Sequence, residues 1–108
     1  MSMHSLFHPP VFQGRHKKHT YFEGWYFKMA IQGEVIALIP GIAMGNDRHS
    51  FIQVISSREE RSWYVRFPYE AFSAEKKVFS VTIGDNHFSL EGISVDISFE
   101  DLRLTAEV

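Results

Sequence analysis

The chain has 108 residues, which is the length of a single domain with one hydrophobic core. Eleven basic and thirteen acidic side chains leave a formal charge of −2, which argues against a nucleic-acid partner, because phosphate-binding surfaces need an excess of basic charge. The absence of cysteine excludes disulfides, thiolate nucleophiles and cysteine-ligated metals, and it favours a cytoplasmic location.

The apolar runs of the sequence are short. Near the N-terminus the longest is Val11 and Phe12, so we expect no export signal. The longest uninterrupted run, residues 35–39, is far below the roughly 20 apolar residues that span a bilayer. We therefore expect no transmembrane segment.

Residues 1–19 are predicted to form an extended lead-in, because they lack a regular apolar period and contain prolines and a basic group. From Thr20 onward, β-branched and aromatic residues recur in short runs between turn-forming residues, which predicts successive antiparallel strands. The predicted strands are 20–31, 34–40, 50–57, 61–67, 77–83, 86–90 and 93–108, the last interrupted near Glu100 and Asp101.

Two of these elements have clear local patterns. Residues 93–99 alternate strictly between apolar and polar side chains, as in a strand with one dry and one wet face. Gly84 to Asn86 separate two alternating runs and predict a tight hairpin turn. The only helical pattern is Pro68 to Lys76, which is long enough for one or two turns.

Seven short strands and one helical turn predict an all-β domain over residues 20–108. An open meander would leave two unprotected edge strands, so the alternatives are a barrel, a partial barrel or a sandwich. If the barrel is partial, we expect a second copy of the chain to cover its open edge, giving a homodimer or a larger assembly.

Residues 21–28, with the sequence YFEGWYFK, are the most unusual segment of the chain, because five of the eight are aromatic. On one strand, odd-numbered and even-numbered residues of this segment lie on opposite faces. Both faces then carry rings, which is typical of a barrel wall with a core on one side and a cavity on the other.

The segment resembles the tocopherol cyclase family, whose members carry an FEGWYFK-like sequence near the start of a β-rich fold. Residues 8–14, 39–42, 51–54 and 67–68 are similar to that family as well. The resemblance implies a lipocalin-like β-barrel and the closure of a chromanol ring from a prenylated hydroquinone, without a redox cofactor. Family members are considerably longer, so we expect this chain to correspond to their N-terminal part, and its end within a predicted strand favours truncation.

Ring closure of this kind needs proton delivery to an alkene in a dry pocket. Glu23 is our candidate acid, because Tyr21 and Trp25 flank it and desolvation disfavours an ionised carboxyl. The alternative is a structural carboxylate paired with a basic residue such as Arg66. Gly24 predicts a bulge, a close approach by a ligand, or room for a neighbouring ring.

The candidate ligand-binding residues are aromatic or polar side chains predicted on strands and in one loop. Each also has a structural interpretation, namely core packing for the rings, a protein partner for the amide and a solvated loop for the histidine. They are Trp25, Tyr26, Trp63, Gln53 and His49.

We predict neither a metal nor a cofactor. The pairs His4 and His8 and His16 and His19 have helical spacing, but the prolines and glycine among them argue against a helix. No phosphate-binding glycine loop and no hydrolase nucleophile motif occurs. Two functions remain: a cyclase-like isomerase, or a lipocalin-like module that binds a hydrophobic small molecule or associates with itself.

Overall fold

The computed structural model describes the backbone of residues 2–4 and the whole of residues 21–31 and 33–108. These residues form strands joined by short turns, with one 3-10 turn at Tyr69–Ala71. The strands are β1 (Ser2–His4), β2 (Tyr21–Gly24), β3 (Phe27–Ile31), β4 (Glu34–Met44), β5 (His49–Ser56), β6 (Arg61–Phe67), β7 (Phe72–Ala74), β8 (Ser80–Ile83), β9 (Asn86–Ser89), β10 (Gly92–Phe99) and β11 (Leu102–Glu107).

The strands form two antiparallel sheets that pack face to face. The first sheet has the order β1-β3-β4-β5-β6, with β2 paired to the far end of β4, and the second has the order β11-β10-β9-β8-β7. Rings from the two sheets meet in one core, where Trp25 and Phe27 contact Phe79 and Phe27 contacts Phe88. The predicted all-β antiparallel fold is confirmed as a sandwich, and the sheets do not close into a barrel.

Strands β2 and β3 follow one line along β4, because the pairing register is the same on both sides of the gap between them. Gly24 pairs with Gly41, and Phe27 pairs with Leu38. The gap lies opposite Pro40, whose carbonyl accepts a 2.9 Å hydrogen bond from the Trp25 N–H but which has no N–H to return. The proline thus removes one ladder bond without ending β4, so our prediction that this strand stops at residue 40 was wrong.

Most of the other predicted elements are present with small changes. The alternation in β10 is confirmed, with Ile93, Val95 and Ile97 buried, and the turn at Gly84 joins β8 to β9. The helical pattern after Pro68 gives only the short 3-10 turn, and β7 follows it. The predicted final strand divides into β10 and β11 at a turn where Glu100 has a φ of 51°.

Part of the predicted lead-in is a strand. Residues 2–4 pair antiparallel with Lys28 to Ala30 at the edge of the first sheet. The remaining residues of that segment, including three of the four histidines considered as metal ligands, lie outside the described part of the chain. Among the described residues, no helix is long and apolar enough to cross a membrane.

Candidate functional site

Large rings are exposed on the first sheet, on the side that faces away from the second sheet. Ile52 and Val54 of β5 point into the core, so their neighbours Phe51 and Gln53 point to this opposite side. Phe22 is 63% exposed, Tyr26 52% and Tyr64 44%. We call this surface the outer aromatic face, and it consists of Phe22, Gly24, Tyr26, Gly41, His49, Phe51, Gln53 and Tyr64.

Three of these rings form a stack with Phe51 in the middle. The ring centroid of Phe51 lies 5.2 Å from that of Phe22 and 5.0 Å from that of Tyr64, with an interplanar angle of 17° in both pairs. Phe22 comes from β2 and Tyr64 from β6, which lie on opposite sides of β5. Phe51 is therefore only 1% exposed although it lies outside the core, while its two neighbours remain open to solvent.

Gly41 makes room for the middle ring. Gly41 pairs with Gly24 on one neighbour and with Phe51 on the other. A Cβ atom on Gly41 would lie 2.8 Å from Cε2 of Phe51 and 2.6 Å from the backbone oxygen of Glu23. Phe51 therefore lies across the β4 backbone at a place where only glycine fits. A Cβ atom on Gly24 would lie 3.7 Å from Cζ of the same ring, an ordinary contact, so the room for a ring that we considered at Gly24 is made by Gly41 instead.

Gly24 also leaves a gap between two exposed rings. Phe22 and Tyr26 stand on the same face four residues apart, which separates their Cα atoms by about 13 Å along an extended chain. Gly24 between them is exposed, and the Phe51 Cζ atom lies 3.7 Å from where a Gly24 Cβ would be. Phe22 and Tyr26 therefore flank a stretch of exposed backbone that ends at the edge of the Phe51 ring.

A histidine and a tyrosine form a hydrogen-bonded pair at one end of the stack. His49 is 9% exposed, and its Nδ1 atom lies 2.9 Å from the backbone oxygen of Asp47. Its Nε2 atom lies 2.8 Å from the hydroxyl of Tyr64. Both ring nitrogens therefore have partners, and His49 is an anchored residue at the start of β5 and not a solvated loop residue.

Charged groups around this pair compensate one another. Asp47 forms a salt bridge with Arg66 of β6, and the hydrogen bond from Arg66 lowers the pKa of Asp47. Arg48 lies over the ring of Tyr69, 4.8 Å from its centroid. Burial raises the pKa of Tyr64 above its ordinary value, so its phenol keeps its proton at neutral pH.

The structure divides the predicted ligand-binding residues between two faces. Tyr26, Gln53 and His49 lie on the outer aromatic face. Trp25 is in the core, where its ring stacks with Phe72 at 6.3 Å. Trp63 is also in the core, so the three predicted aromatic walls, Trp25, Tyr26 and Trp63, do not surround one volume.

Glu23 lies on the same side of its strand as Trp25. It is half-buried and accepts a 2.7 Å hydrogen bond from the hydroxyl of Tyr21. Burial, followed by this hydrogen bond, raises the pKa of Tyr21 to about 12. Arg66, which we considered as a partner for Glu23, is the partner of Asp47 instead.

A second concave site lies between the two sheets, beside Trp63. Its volume is about 330 Å³, at the small end of the range for ligand pockets. Its rim carries ion pairs: Arg61 binds Asp101, which also accepts a 3.0 Å hydrogen bond from the Trp63 indole, and Glu34 lies 3.6 Å from Arg58. The lining residues are Ile31, Glu34, Ile36, Val54, Ser56, Glu59, Trp63, Asp101, Leu102, Arg103, Leu104 and Thr105.

Within the described ranges, no three acidic, histidine or cysteine residues are grouped in a way that could hold a metal ion. Comparison of the chain with models of known families, with curated proteins and with solved structures found no match. The likeness to the tocopherol cyclase family therefore remains a prediction made from the sequence.

Sequence reasoning missed the ring stack, although part of its signal was present. Phe22 was assigned to the correct face of its strand, but Phe51 and Tyr64 were not connected with it. Their meeting depends on the register of β4, β5 and β6, which places Phe51 opposite Gly41 and Tyr64 opposite Gln53. A glycine paired with another glycine beside an aromatic residue is the pattern that could have indicated it.

Proposed function

We propose that this domain binds a hydrophobic small molecule that contains a flat ring, and that the outer aromatic face is its binding surface. The supporting observation is the stack of Phe22, Phe51 and Tyr64, whose two outer rings are largely exposed beside an open glycine. An exposed group of large rings is unusual on a soluble surface and typically marks a site of interaction. Covering it releases water from apolar area, which contributes about 25 cal/mol per Å².

The exposed backbone at Gly24 favours a flat ligand. A ring laid on Gly24 can approach the backbone closely and contact the ring of Phe22 or that of Tyr26. Aromatic pairs in offset or edge contact contribute about 0.5–1.5 kcal/mol beyond the burial of their area. The polar groups on this face are few, so orientation would depend on the hydroxyls of Tyr26 and Tyr64 and on Gln53.

A cyclase-like reaction is the second candidate. It is favoured by the half-buried Glu23, which is held by the Tyr21 hydroxyl within the segment that carries the family resemblance. This chemistry would need Glu23 and the aromatic walls around one substrate. Because Glu23 and Tyr26 are on opposite sides of their strand, binding without turnover is our first proposal.

The proposal is tested first by native mass spectrometry of the purified chain, which reports both co-purified ligands and subunit number. Binding of 2-methoxynaphthalene, a flat probe, is then measured by calorimetry for the original protein, for Phe22→Ala and for Tyr26→Ala. Each substitution is expected to weaken binding by up to about tenfold, because each removes one ring that flanks Gly24.

Leu90→Ala is the matched control, because Leu90 is a similarly exposed apolar residue in the turn that follows β9 of the other sheet. It should leave the affinity unchanged. If the probe binds and the control weakens it as much as Phe22→Ala does, the outer aromatic face is not the site. For the second candidate, Glu23→Gln protein that keeps its ligand but loses turnover supports catalysis, and unchanged turnover refutes Glu23 as the acid.

A further inference from the structure

The hydrogen bonds of His49 define which tautomer its ring adopts. A backbone carbonyl can only accept a hydrogen bond, so the Nδ1 atom that contacts the Asp47 oxygen must carry a hydrogen. In the neutral ring the other nitrogen, Nε2, is then an acceptor. Because Nε2 lies 2.8 Å from the Tyr64 hydroxyl, that hydroxyl donates its hydrogen to His49.

As a result, the Tyr64 hydroxyl can act only as a hydrogen-bond acceptor toward a ligand. With its only hydrogen directed to His49, the phenol oxygen presents lone pairs to any other group that approaches it. Tyr64 is 44% exposed, and its ring is part of the stack on the outer aromatic face. A ligand on this face therefore meets a hydrogen-bond acceptor at Tyr64.

We propose that His49 and Tyr64 act together as a specificity device on the outer aromatic face, selecting ring compounds whose polar group donates a hydrogen bond, such as a ring hydroxyl, over otherwise similar compounds that only accept one. This inference rests on the proposed binding function and adds to it the polarity of the ligand. His49 is a positioning residue, since it acts through Tyr64, whereas Tyr64 contacts the ligand.

The same geometry makes the selection depend on pH. When His49 takes up a second proton, both of its nitrogens donate, and the Tyr64 oxygen becomes the acceptor of the Nε2 hydrogen. The Tyr64 hydrogen then turns outward, and the preference for a donating ligand disappears.

The charged groups around His49 leave its two hydrogen bonds in place. Asp47 interacts electrostatically with His49 and forms a salt bridge with Arg66, and Arg48, the residue before His49, lies over Tyr69. Tyr64 is the titratable group in direct contact with the histidine. Neither the salt bridge nor Arg48 supplies an alternative hydrogen-bond partner for the two ring nitrogens.

The experiment compares two probes of nearly equal shape: 2-naphthol, which donates a hydrogen bond, and 2-methoxynaphthalene, which does not. Dissociation constants are measured by calorimetry at pH values well above and well below the titration midpoint of His49, which is located by nitrogen NMR of the intact chain. Above the midpoint 2-naphthol is expected to bind about three- to tenfold more tightly, and below it the two affinities converge.

Two variants identify the group that discriminates. Tyr64→Phe keeps the stacked ring and removes the hydroxyl, so the preference should be lost while 2-methoxynaphthalene still binds. Tyr69→Phe removes a hydroxyl outside the outer aromatic face, keeps the ring over which Arg48 lies, and should leave the preference in place. The NMR spectrum, which needs no ligand, should show Nδ1 as the protonated nitrogen of neutral His49.

Contrary outcomes separate the two proposals. If both probes bind equally at every pH, or if Tyr64→Phe keeps the preference, the polarity device is refuted while the binding function stands. If neither probe binds, the binding function fails and the device fails with it. A neutral His49 protonated at Nε2 refutes the device regardless of binding.

Discussion

The close fit between Gly41 and Phe51 gives the sharpest prediction for stability. In Gly41→Ala the new methyl group would lie 2.6 Å from a backbone oxygen and 2.8 Å from an aromatic carbon. The backbone oxygen cannot move away without disturbing the β2–β4 ladder, and the ring of Phe51 is held between two others. Overpacking of this kind costs about 1–3 kcal/mol of unfolding free energy.

Gly24→Ala is the matched control, because the two glycines face each other across the same ladder. A Cβ at Gly24 would have its nearest neighbours at 3.4 Å, the side chain of Ile39 and the backbone oxygen of Pro40, which the structure accommodates by small shifts. Replacing a glycine in a compatible conformation stabilises the protein by roughly 0.4–1 kcal/mol, because it reduces the conformational entropy of the unfolded chain. The free energy of unfolding should therefore fall in Gly41→Ala and rise in Gly24→Ala.

Urea unfolding, followed by tryptophan fluorescence, measures both free energies. A loss of about 2 kcal/mol also corresponds to a fall in Tm of roughly 8–16 °C for a domain of this size. Measured in a Phe51→Ala background, Gly41→Ala should cost less than it does in the original protein, since the ring is gone and only the clash with the backbone oxygen remains. If Gly41→Ala is no less stable than Gly24→Ala, then Phe51 does not lie across β4 in solution.

Three further predictions concern stability and titration. The hydrogen bond from Arg61 lowers the pKa of Asp101 to about 2, so the stabilisation from this contact should be complete above the unfolded pKa of about 3.9 and disappear as the pH falls toward 2. Urea midpoints should decline less in Asp101→Asn than in the original protein, with some decline remaining because the pKa of Asp47 is lowered too, and an equal decline in both proteins would refute this contribution. One tyrosine should ionise with a pKa of about 12 when the absorbance is followed as the pH is raised, and that step should be missing in Tyr21→Phe. If the titration curve of Tyr21→Phe still contains the step, the high pKa does not belong to the buried Tyr21 hydroxyl. Phe27→Ala should cost about 3–5 kcal/mol of unfolding free energy because Phe27 is buried among core rings, while Phe22→Ala on the exposed face should cost far less, and equal losses would refute the assignment of the two faces.

The site could be predicted only in part, because burial and proximity depend on which strands pair. The sequence placed Trp25 and Tyr26 on opposite faces, as observed, but it could not show that they lie in the gap between β2 and β3, that Trp25 enters the core or that Tyr26 is exposed. A strand with rings on both sides carries no local signal for which face another sheet will cover. Trp63 looked like a wall of the same site for the same reason.

The all-β class, the antiparallel order of strands and the turns at Gly84 and Glu100 were determined by the sequence alone. Alternation of apolar residues and turn chemistry act over a few neighbouring positions, so they can be recognised without knowing the fold. The length of β4 was missed because the effect of Pro40 depends on which side of the strand its absent N–H faces.

The outer aromatic face was decided by the tertiary structure. Phe22, Phe51 and Tyr64 come from three strands, and they meet because the registers of the first sheet bring Gly41 beneath the middle ring. The partnership of His49 with Tyr64 has the same origin, since the two residues are fifteen positions apart in the chain. Side-chain period predicts which face a residue occupies, but only strand pairing decides what it touches there.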